Sequence, residues 1–105
     1  MSSETSFRNR RESRYLGAWA FVDGRTFSRA NIITDGQTIY SYGAHFPMAR
    51  KLSDGTITVN VDRYSMTTSK HQGALRTVLG ICGYAPTGER RDIHDRYTFE
   101  VWARN

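Results

Sequence analysis

Two short stretches of the chain combine hydroxyl, aromatic and histidine side chains, the types that bind ligands or move protons. The first is residues 40–47 (Tyr-Ser-Tyr-Gly-Ala-His-Phe-Pro), and the second is residues 63–71 (Arg-Tyr-Ser-Met-Thr-Thr-Ser-Lys-His). Each joins two regular elements of the pattern described below, and such loops often carry function. The second stretch runs into a predicted helix, so its hydroxyls could bind an anion there or simply cap the helix.

The three histidines show no spacing that favours a metal site. His45, His71 and His94 are not related by H-x-H or H-x-x-x-H, and the single cysteine, Cys82, excludes a cysteine-rich zinc site. His71 falls in the first turn of the predicted helix, where the helix dipole disfavours a charged ring. A neutral ring there could accept a hydrogen bond, act as a base, or only pack against the preceding loop. We predict no metal and no cofactor.

The chain also lacks the motifs of common hydrolase and nucleotide-binding sites. It contains no G-x-S-x-G, no Walker loop and no glycine-rich fingerprint after a strand. A single domain of 105 residues leaves little room for a deep substrate cavity. We therefore predict no catalytic residue and favour a non-enzymatic protein. A small hydrolase or nuclease that uses His71 with a nearby hydroxyl is the minor alternative.

The charge of the chain favours an anionic partner. Fifteen lysines and arginines against ten acidic residues give a net charge of +5, and thirteen of the basic residues are arginine. Guanidinium groups bind phosphate or carboxylate through paired hydrogen bonds. A cluster near the start of the chain contains Arg8, Arg10, Arg11 and Arg14. The alternative interpretation is a solvated basic tail without a partner.

The hydrophobic pattern predicts one α+β domain over residues 14–105, preceded by a flexible, arginine-rich arm over residues 1–13. Alternation of large and small side chains predicts a first strand over residues 15–22, with a bulge at Gly17. Three Asp-Gly pairs separate strand-like runs, which makes an antiparallel meander the simplest topology. Pro47 would place its strand at an edge of the sheet.

Toward the C-terminus the hydrophobic period becomes helical. Apolar residues recur at Ala74, Leu75, Val78, Leu79 and Cys82. This spacing predicts an amphipathic helix over residues 69–82, capped by Ser69 at its start and followed by Gly83. A polar loop over residues 87–95 and a last strand over residues 97–102 should follow. The predicted fold is thus a curved antiparallel sheet of five to six strands with one amphipathic helix packed across it.

The two polar-aromatic stretches resemble segments of a family of small phage and plasmid proteins of unknown function. Members pair an SYG or SYxT…IA segment with a YSxTTSxH segment, and residues 41–49 and 64–71 match these in order. The likeness covers residues 25–75, and the second segment is the more specific. The resemblance implies a protein of a mobile element and adds site residues from the second segment. They are Tyr64, Ser65, Thr67, Thr68, Ser69 and His71.

The sequence therefore predicts a phage or mobile-element accessory protein that contacts nucleic acid, with single strands favoured by exposed aromatic side chains beside basic ones. The alternative is a protein-binding module that targets or inhibits a host factor. The absence of an apolar run of ~18 residues predicts no membrane span, and the single cysteine favours the reducing cytoplasm of the host cell. Beyond the residues of the second segment, the predicted binding set contains Arg8, Arg10, Arg11, Arg14, Tyr42, His45 and Lys70.

Overall fold

The computed structural model describes the backbone of residues 3–43, 46–63, 65–94 and 97–104. Side chains are described for residues 12–43, 46–63, 65–90 and 97–104. The described chain forms two helices and seven strands. In chain order they are α1 (Ser3–Asp23), β1 (Phe27–Arg29), β2 (Ile32–Thr34), β3 (Thr38–Ser41), β4 (Phe46–Lys51), β5 (Ile57–Asn60), α2 (Met66–Ile81), β6 (Tyr84–His94) and β7 (Tyr97–Arg104).

The strands form one antiparallel sheet in the order β1-β2-β3-β4-β5-β7-β6. The α+β class with an antiparallel sheet is therefore confirmed, although the sheet has seven strands rather than five or six and a second helix is present. The meander holds only from β1 to β5. After β5 the chain passes through α2 to the far edge of the sheet, and β7 then returns between β5 and β6.

The predicted first strand over residues 15–22 is wrong, because these residues lie within α1. Small side chains let this helix approach the sheet closely, and Ala18, Ala20 and Phe21 are fully buried. Gly17 is not at a strand bulge: a Cβ there would lie 2.7 Å from Cγ2 of Ile32 in β2, so the residue marks a close helix–strand contact. Alternation of large and small residues fits a tightly packed helix as well as a strand.

The predicted arm boundary at residue 13 falls inside α1, whose backbone begins at Ser3. Ser13 is fully buried, so the packed part of α1 includes the last residue of the predicted arm. Side chains of residues 1–11 lie outside the described part of the chain. The division into an arm and a domain stays a prediction.

Helix α2 begins earlier than its apolar spacing predicts. Its N-cap is Ser65 rather than Ser69, since the Ser65 hydroxyl oxygen accepts a hydrogen bond from the amide of Thr68 at 3.1 Å. Gly83 follows the helix with a φ of 92°, a conformation that glycine adopts without strain, as predicted. The shift at the N-terminus brings the whole Ser-Met-Thr-Thr-Ser segment into or next to the helix.

Two further predictions about strands are corrected. The polar residues 87–95 were expected to form a loop, but the backbone is extended to His94 in the edge strand β6. Pro47 lies in β4, which is an inner strand rather than an edge strand. It is paired with Tyr40 of β3, at the point where the register between β3 and β4 shifts. A proline is tolerated at such an irregularity because no regular ladder bond is lost there.

The core lies between the two helices and one face of the sheet. Leu75, Val78 and Leu79 of α2 pack with Ile57 and Val59 of β5. Fully burying a side chain of this size contributes roughly 1.5–3 kcal/mol. Neither described helix has the length and apolarity that a membrane crossing requires.

Candidate functional site

The site begins with a buried hydrogen bond between the sheet and α2. Ser41 is the last residue of β3 and pairs with Ile32 of β2, and its side chain points toward α2. Its Oγ lies 2.7 Å from Nδ1 of His71, in the second turn of that helix. Ser41 is fully buried and His71 is only 5 % exposed, so this contact is shielded from solvent.

Three further side chains continue the hydrogen bonding from Ser41 to the surface. The Oγ of Ser41 lies 3.1 Å from Oγ1 of Thr68, which lies 3.2 Å from Oγ of Ser65. The Ser65 Oγ in turn lies 3.4 Å from the hydroxyl of Tyr42. Thr68 and His71 are three residues apart on one helix face, which is why both reach Ser41. We call these five residues the hydroxyl chain.

His71 is a neutral imidazole at neutral pH. Burial, together with the smaller effect of the nearby positive charge of Arg14, lowers the pKa of His71 from 6.5 to about 4. Its Nδ1 is engaged by Ser41, and its Nε2 makes no hydrogen bond to a described residue. If Ser41 donates to Nδ1, then Nε2 carries the hydrogen and is a donor; in the other tautomer Nε2 is an acceptor.

Tyr42 stands at the exposed end of the hydroxyl chain. Its backbone has a φ of 58°, which is uncommon for an aromatic residue and turns the chain sharply after β3. Its amide donates a 2.8 Å hydrogen bond to the carbonyl oxygen of Asn31, which fixes this turn against the β1–β2 turn. Hydrogen bonds from the Ser65 and Thr67 hydroxyls lower the pKa of Tyr42, because they stabilise the phenolate.

A cavity of about 390 Å³ opens beside the buried face of His71. It is lined by Arg14, Ala30, Asn31, Thr67, Lys70 and His71, and we call it the cationic pocket. Its walls come from α1, from the turn between β1 and β2, and from the first turns of α2. Ala30 and Asn31 both have positive φ, as a two-residue hairpin turn requires, and this places the turn over the pocket.

A second depression lies on the other side of Lys70. Its volume is about 480 Å³, its lining is Arg63, Ser65, Met66, Ser69 and Lys70, and Met66 is 81 % exposed. Lys70 is common to both depressions, so they adjoin along one side of the N-terminal part of α2. Among the described residues that line either depression, none is an aspartate or glutamate.

The structure brings together all eight predicted site residues whose side chains it describes. Those in the hydroxyl chain or in the lining of the two depressions are Arg14, Tyr42, Ser65, Thr67, Thr68, Ser69, Lys70 and His71. The predictions that lie outside the described residues or side chains are Arg8, Arg10, Arg11, His45 and Tyr64.

Ser41, Asn31 and Arg63 have a place in the site that sequence reasoning missed. Ser41 stands beside Tyr42 in the first polar-aromatic stretch, and strand alternation would have turned it to the face opposite its neighbour. Asn31 gave a signal of its own, since asparagine favours the positive φ of a hairpin turn. No sequence signal could have shown that this turn closes a pocket on α2.

The geometry of the described residues does not suit serine catalysis. Ser41 has no exposed surface and its oxygen lies within hydrogen-bond distance of both Thr68 and His71, so a substrate cannot reach it. Within the described part of the chain, no three histidine, cysteine or acidic side chains group as a metal site would need. The site can offer hydrogen-bond donors and positive charge, which is the chemistry of anion binding.

Comparison of the chain with protein-family models, with curated proteins and with solved structures found no match in any of the three.

Proposed function

We propose that this protein contacts nucleic acid, single strands in particular, and acts without catalysis as a cytoplasmic accessory protein of a phage or another mobile element. The observation that carries the proposal is the pair of adjoining depressions. Arg14, Lys70 and Arg63 line them, and no acidic residue among the described lining residues offsets these cations. Such a row of positive charges suits a phosphate backbone.

Tyr42 supports a single strand rather than a duplex. Its backbone is hydrogen-bonded to Asn31 of the cationic pocket, and its hydroxyl lies near Ser65 of the second depression. Tyr42 as a whole is half-buried, and these two hydrogen bonds place it between residues of the two depressions. An unpaired base can stack on a tyrosine ring, whereas a base in a duplex is already stacked. The mobile-element origin rests on the resemblance of the YSxTTSxH segment.

The salt dependence of binding tests the proposal. Fluorescence anisotropy with a labelled single-stranded 20-mer, at several salt concentrations, should give a logarithmic slope of about −0.7 per neutralised phosphate, or roughly −2 for three contacts. A variant with Arg14, Lys70 and Arg63 changed to Gln should bind weakly and with a much flatter slope. Absence of binding by the unchanged protein at ~10 μM and low salt would reject nucleic acid as the partner.

A control variant separates a local site from general charge. Arg50, Arg76 and Arg90 are exposed and lie outside both depressions, so changing all three to Gln removes the same total charge. If this control loses as much affinity as the site variant, binding depends on net charge and not on the depressions.

The N-terminal arginines need a variant of their own. Changing Arg8, Arg10, Arg11 and Arg14 to Gln should flatten the slope further than Arg14→Gln alone if the predicted arm also contacts phosphates. Equal slopes for these two variants would restrict the contacts to the two depressions.

The alternative function, a module that binds a host protein, is favoured by one feature of the second depression. Met66 is 81 % exposed beside Arg63, and an exposed apolar side chain next to arginine is a common protein-binding anchor. A pull-down from host lysate before and after nuclease treatment distinguishes the two functions. A partner protein that is retained after nuclease, and lost with Met66→Asp, supports the alternative.

A further inference from the structure

The cationic pocket differs from the second depression in shape. It is the more enclosed of the two, and its walls come from three separate elements of the fold. A strand lying along the surface can pass over the second depression with its phosphates exposed on both sides. A pocket of about 390 Å³ that is bounded by α1, α2 and a hairpin turn is better suited to a group at the end of a chain.

The charges in the pocket suit a phosphate that is not bridged to a second nucleotide. Arg14 and Lys70 supply two positive charges, whereas an internal phosphodiester carries a single negative one. A terminal phosphate carries −1.5 to −2 at neutral pH and presents three oxygens that accept hydrogen bonds. It can neutralise both cations at once, and the planar guanidinium of Arg14 can bind two of its oxygens.

The pocket also contains donors that do not depend on charge. Asn31, whose side-chain amide is a hydrogen-bond donor, belongs to its lining, as does His71, which is only 5 % exposed. The hydroxyl chain can fix the ring as a donor: Thr68 Oγ1 donates to Ser41 Oγ, and Ser41 Oγ donates to Nδ1. The remaining hydrogen is then on Nε2 of His71, beside the pocket.

We propose that the cationic pocket binds the terminal phosphate of a nucleic-acid strand, with Arg14 and Lys70 neutralising it and Nε2 of His71 donating a hydrogen bond. This inference rests on the proposed function, because it names the part of the strand that the pocket takes. Internal phosphates then contact the second depression near Arg63. Ser41 is a positioning residue that acts through His71 and does not touch the phosphate.

The test compares single-stranded 12-mers of one sequence with a 5′-phosphate, a 3′-phosphate or hydroxyls at both ends. A terminal phosphate at one of the two ends should raise affinity at least tenfold over the hydroxyl form. Equal affinity for all three strands overturns the terminal-phosphate inference and leaves the proposed function intact. Failure of all three strands to bind contradicts the proposed function itself, and the inference with it.

Free phosphate is the other source of the same chemistry, and competition distinguishes it from a strand end. Inorganic phosphate and a mononucleotide should displace the phosphorylated strand only at concentrations at least a hundredfold above that of the unlabelled strand. If either one competes as well as the strand, the pocket binds a free phosphate compound and the assignment to a strand end is wrong.

An internal control comes from comparing, for one variant at a time, its affinity for the phosphorylated strand with its affinity for the unphosphorylated strand. Lys70→Gln should bring the affinity ratio of phosphorylated to unphosphorylated strand close to one, and Lys70 is exposed, so the fold should tolerate the change. Arg76→Gln removes the same charge from the same helix outside the pocket and should keep the full ratio. The proposed pocket is contradicted if Lys70→Gln keeps the affinity ratio of the unchanged protein. It is also contradicted if Arg76→Gln brings that ratio close to one.

Discussion

The Oγ of Ser41 and the Nδ1 of His71 are 2.7 Å apart, although the two residues are separated by 30 positions in the sequence. The contact ties the end of β3 to α2 and orients the imidazole beside the cationic pocket. Because both side chains are buried, a side chain that loses its partner cannot form a hydrogen bond to water instead. The pair therefore couples the stability of the domain to the geometry of its site.

Ser41→Ala should lower the free energy of unfolding by about 1–3 kcal/mol, the usual cost of leaving a buried polar group unsatisfied. The substitution removes a partner from both His71 and Thr68. Urea denaturation at pH 7.5 measures the effect. Ser28→Ala is the control, since Ser28 is an exposed strand residue, and it should change stability by less than ~0.5 kcal/mol. Equal effects of the two substitutions would contradict the structural role of Ser41.

The stability of the domain should fall on acidification below pH 6.5. The pKa of His71 is about 4 in the folded protein and 6.5 as the ordinary value, so between these values the unfolded chain binds a proton that the native protein does not. Stability then decreases with falling pH by at most about 1.4 kcal/mol per pH unit, and the decrease ends below pH 4.

Urea denaturation between pH 7.5 and 4 checks this dependence against His71→Asn. The asparagine side chain can still hydrogen-bond Ser41 but does not titrate. The stability difference between the two proteins should therefore change across the pH range in the direction stated. Parallel pH profiles would show that His71 is not the group responsible.

Alanine should have opposite effects at two helical glycines. In Gly17→Ala the new methyl group meets Ile32 at 2.7 Å and Phe27 at 3.2 Å, so the helix or the strand must shift. We expect a loss of 1 kcal/mol or more, about the cost of overpacking. Gly73 of α2 has no atom within 4 Å of an added Cβ, so Gly73→Ala should stabilise by about 0.5–1 kcal/mol through helix propensity. Thermal unfolding of both variants checks the signs, and stabilisation by Gly17→Ala would contradict the close contact of α1 with β2.

Leu79→Ala should cost about 2–5 kcal/mol, the range for truncating a buried leucine. Leu79 is fully buried in the core between α2 and the sheet. Ile81, two residues later on the same helix, is 67 % exposed, so Ile81→Ala should stay within about 0.5 kcal/mol of the unchanged protein. Chemical denaturation of the pair tests which face of α2 is packed, and similar losses for both would be inconsistent with the observed orientation.

The sequence correctly predicted an element where its hydrophobic pattern fits only one type of secondary structure. The apolar spacing of α2 indicated the correct type of structure and the correct buried face. The pattern around Gly17 has two interpretations, since small residues suit a strand bulge and also a tightly packed helix. Only the contact with Ile32 distinguishes them, and that contact is made across the fold.

Most of the described residues of the candidate site were also predictable by type, because Ser65, Thr68 and His71 stand within one hydroxyl-rich segment. The hydrogen bonds of Thr68 and His71 with Ser41 were not predictable. They depend on the end of β3 facing α2, and a shift of β3 by one residue would turn Ser41 to the other face of the sheet.

The sequence alone determined the α+β class, the basic charge and the segment in which the polar site residues occur, because composition and periodicity are local properties of the chain. The tertiary structure decided that residues 15–22 form a helix, that Ser65 caps α2, and that Arg14 and Asn31 meet Lys70 and His71 around one cavity. These outcomes depend on which apolar faces are buried together. That choice is made by packing between elements distant in sequence, and no local pattern records it.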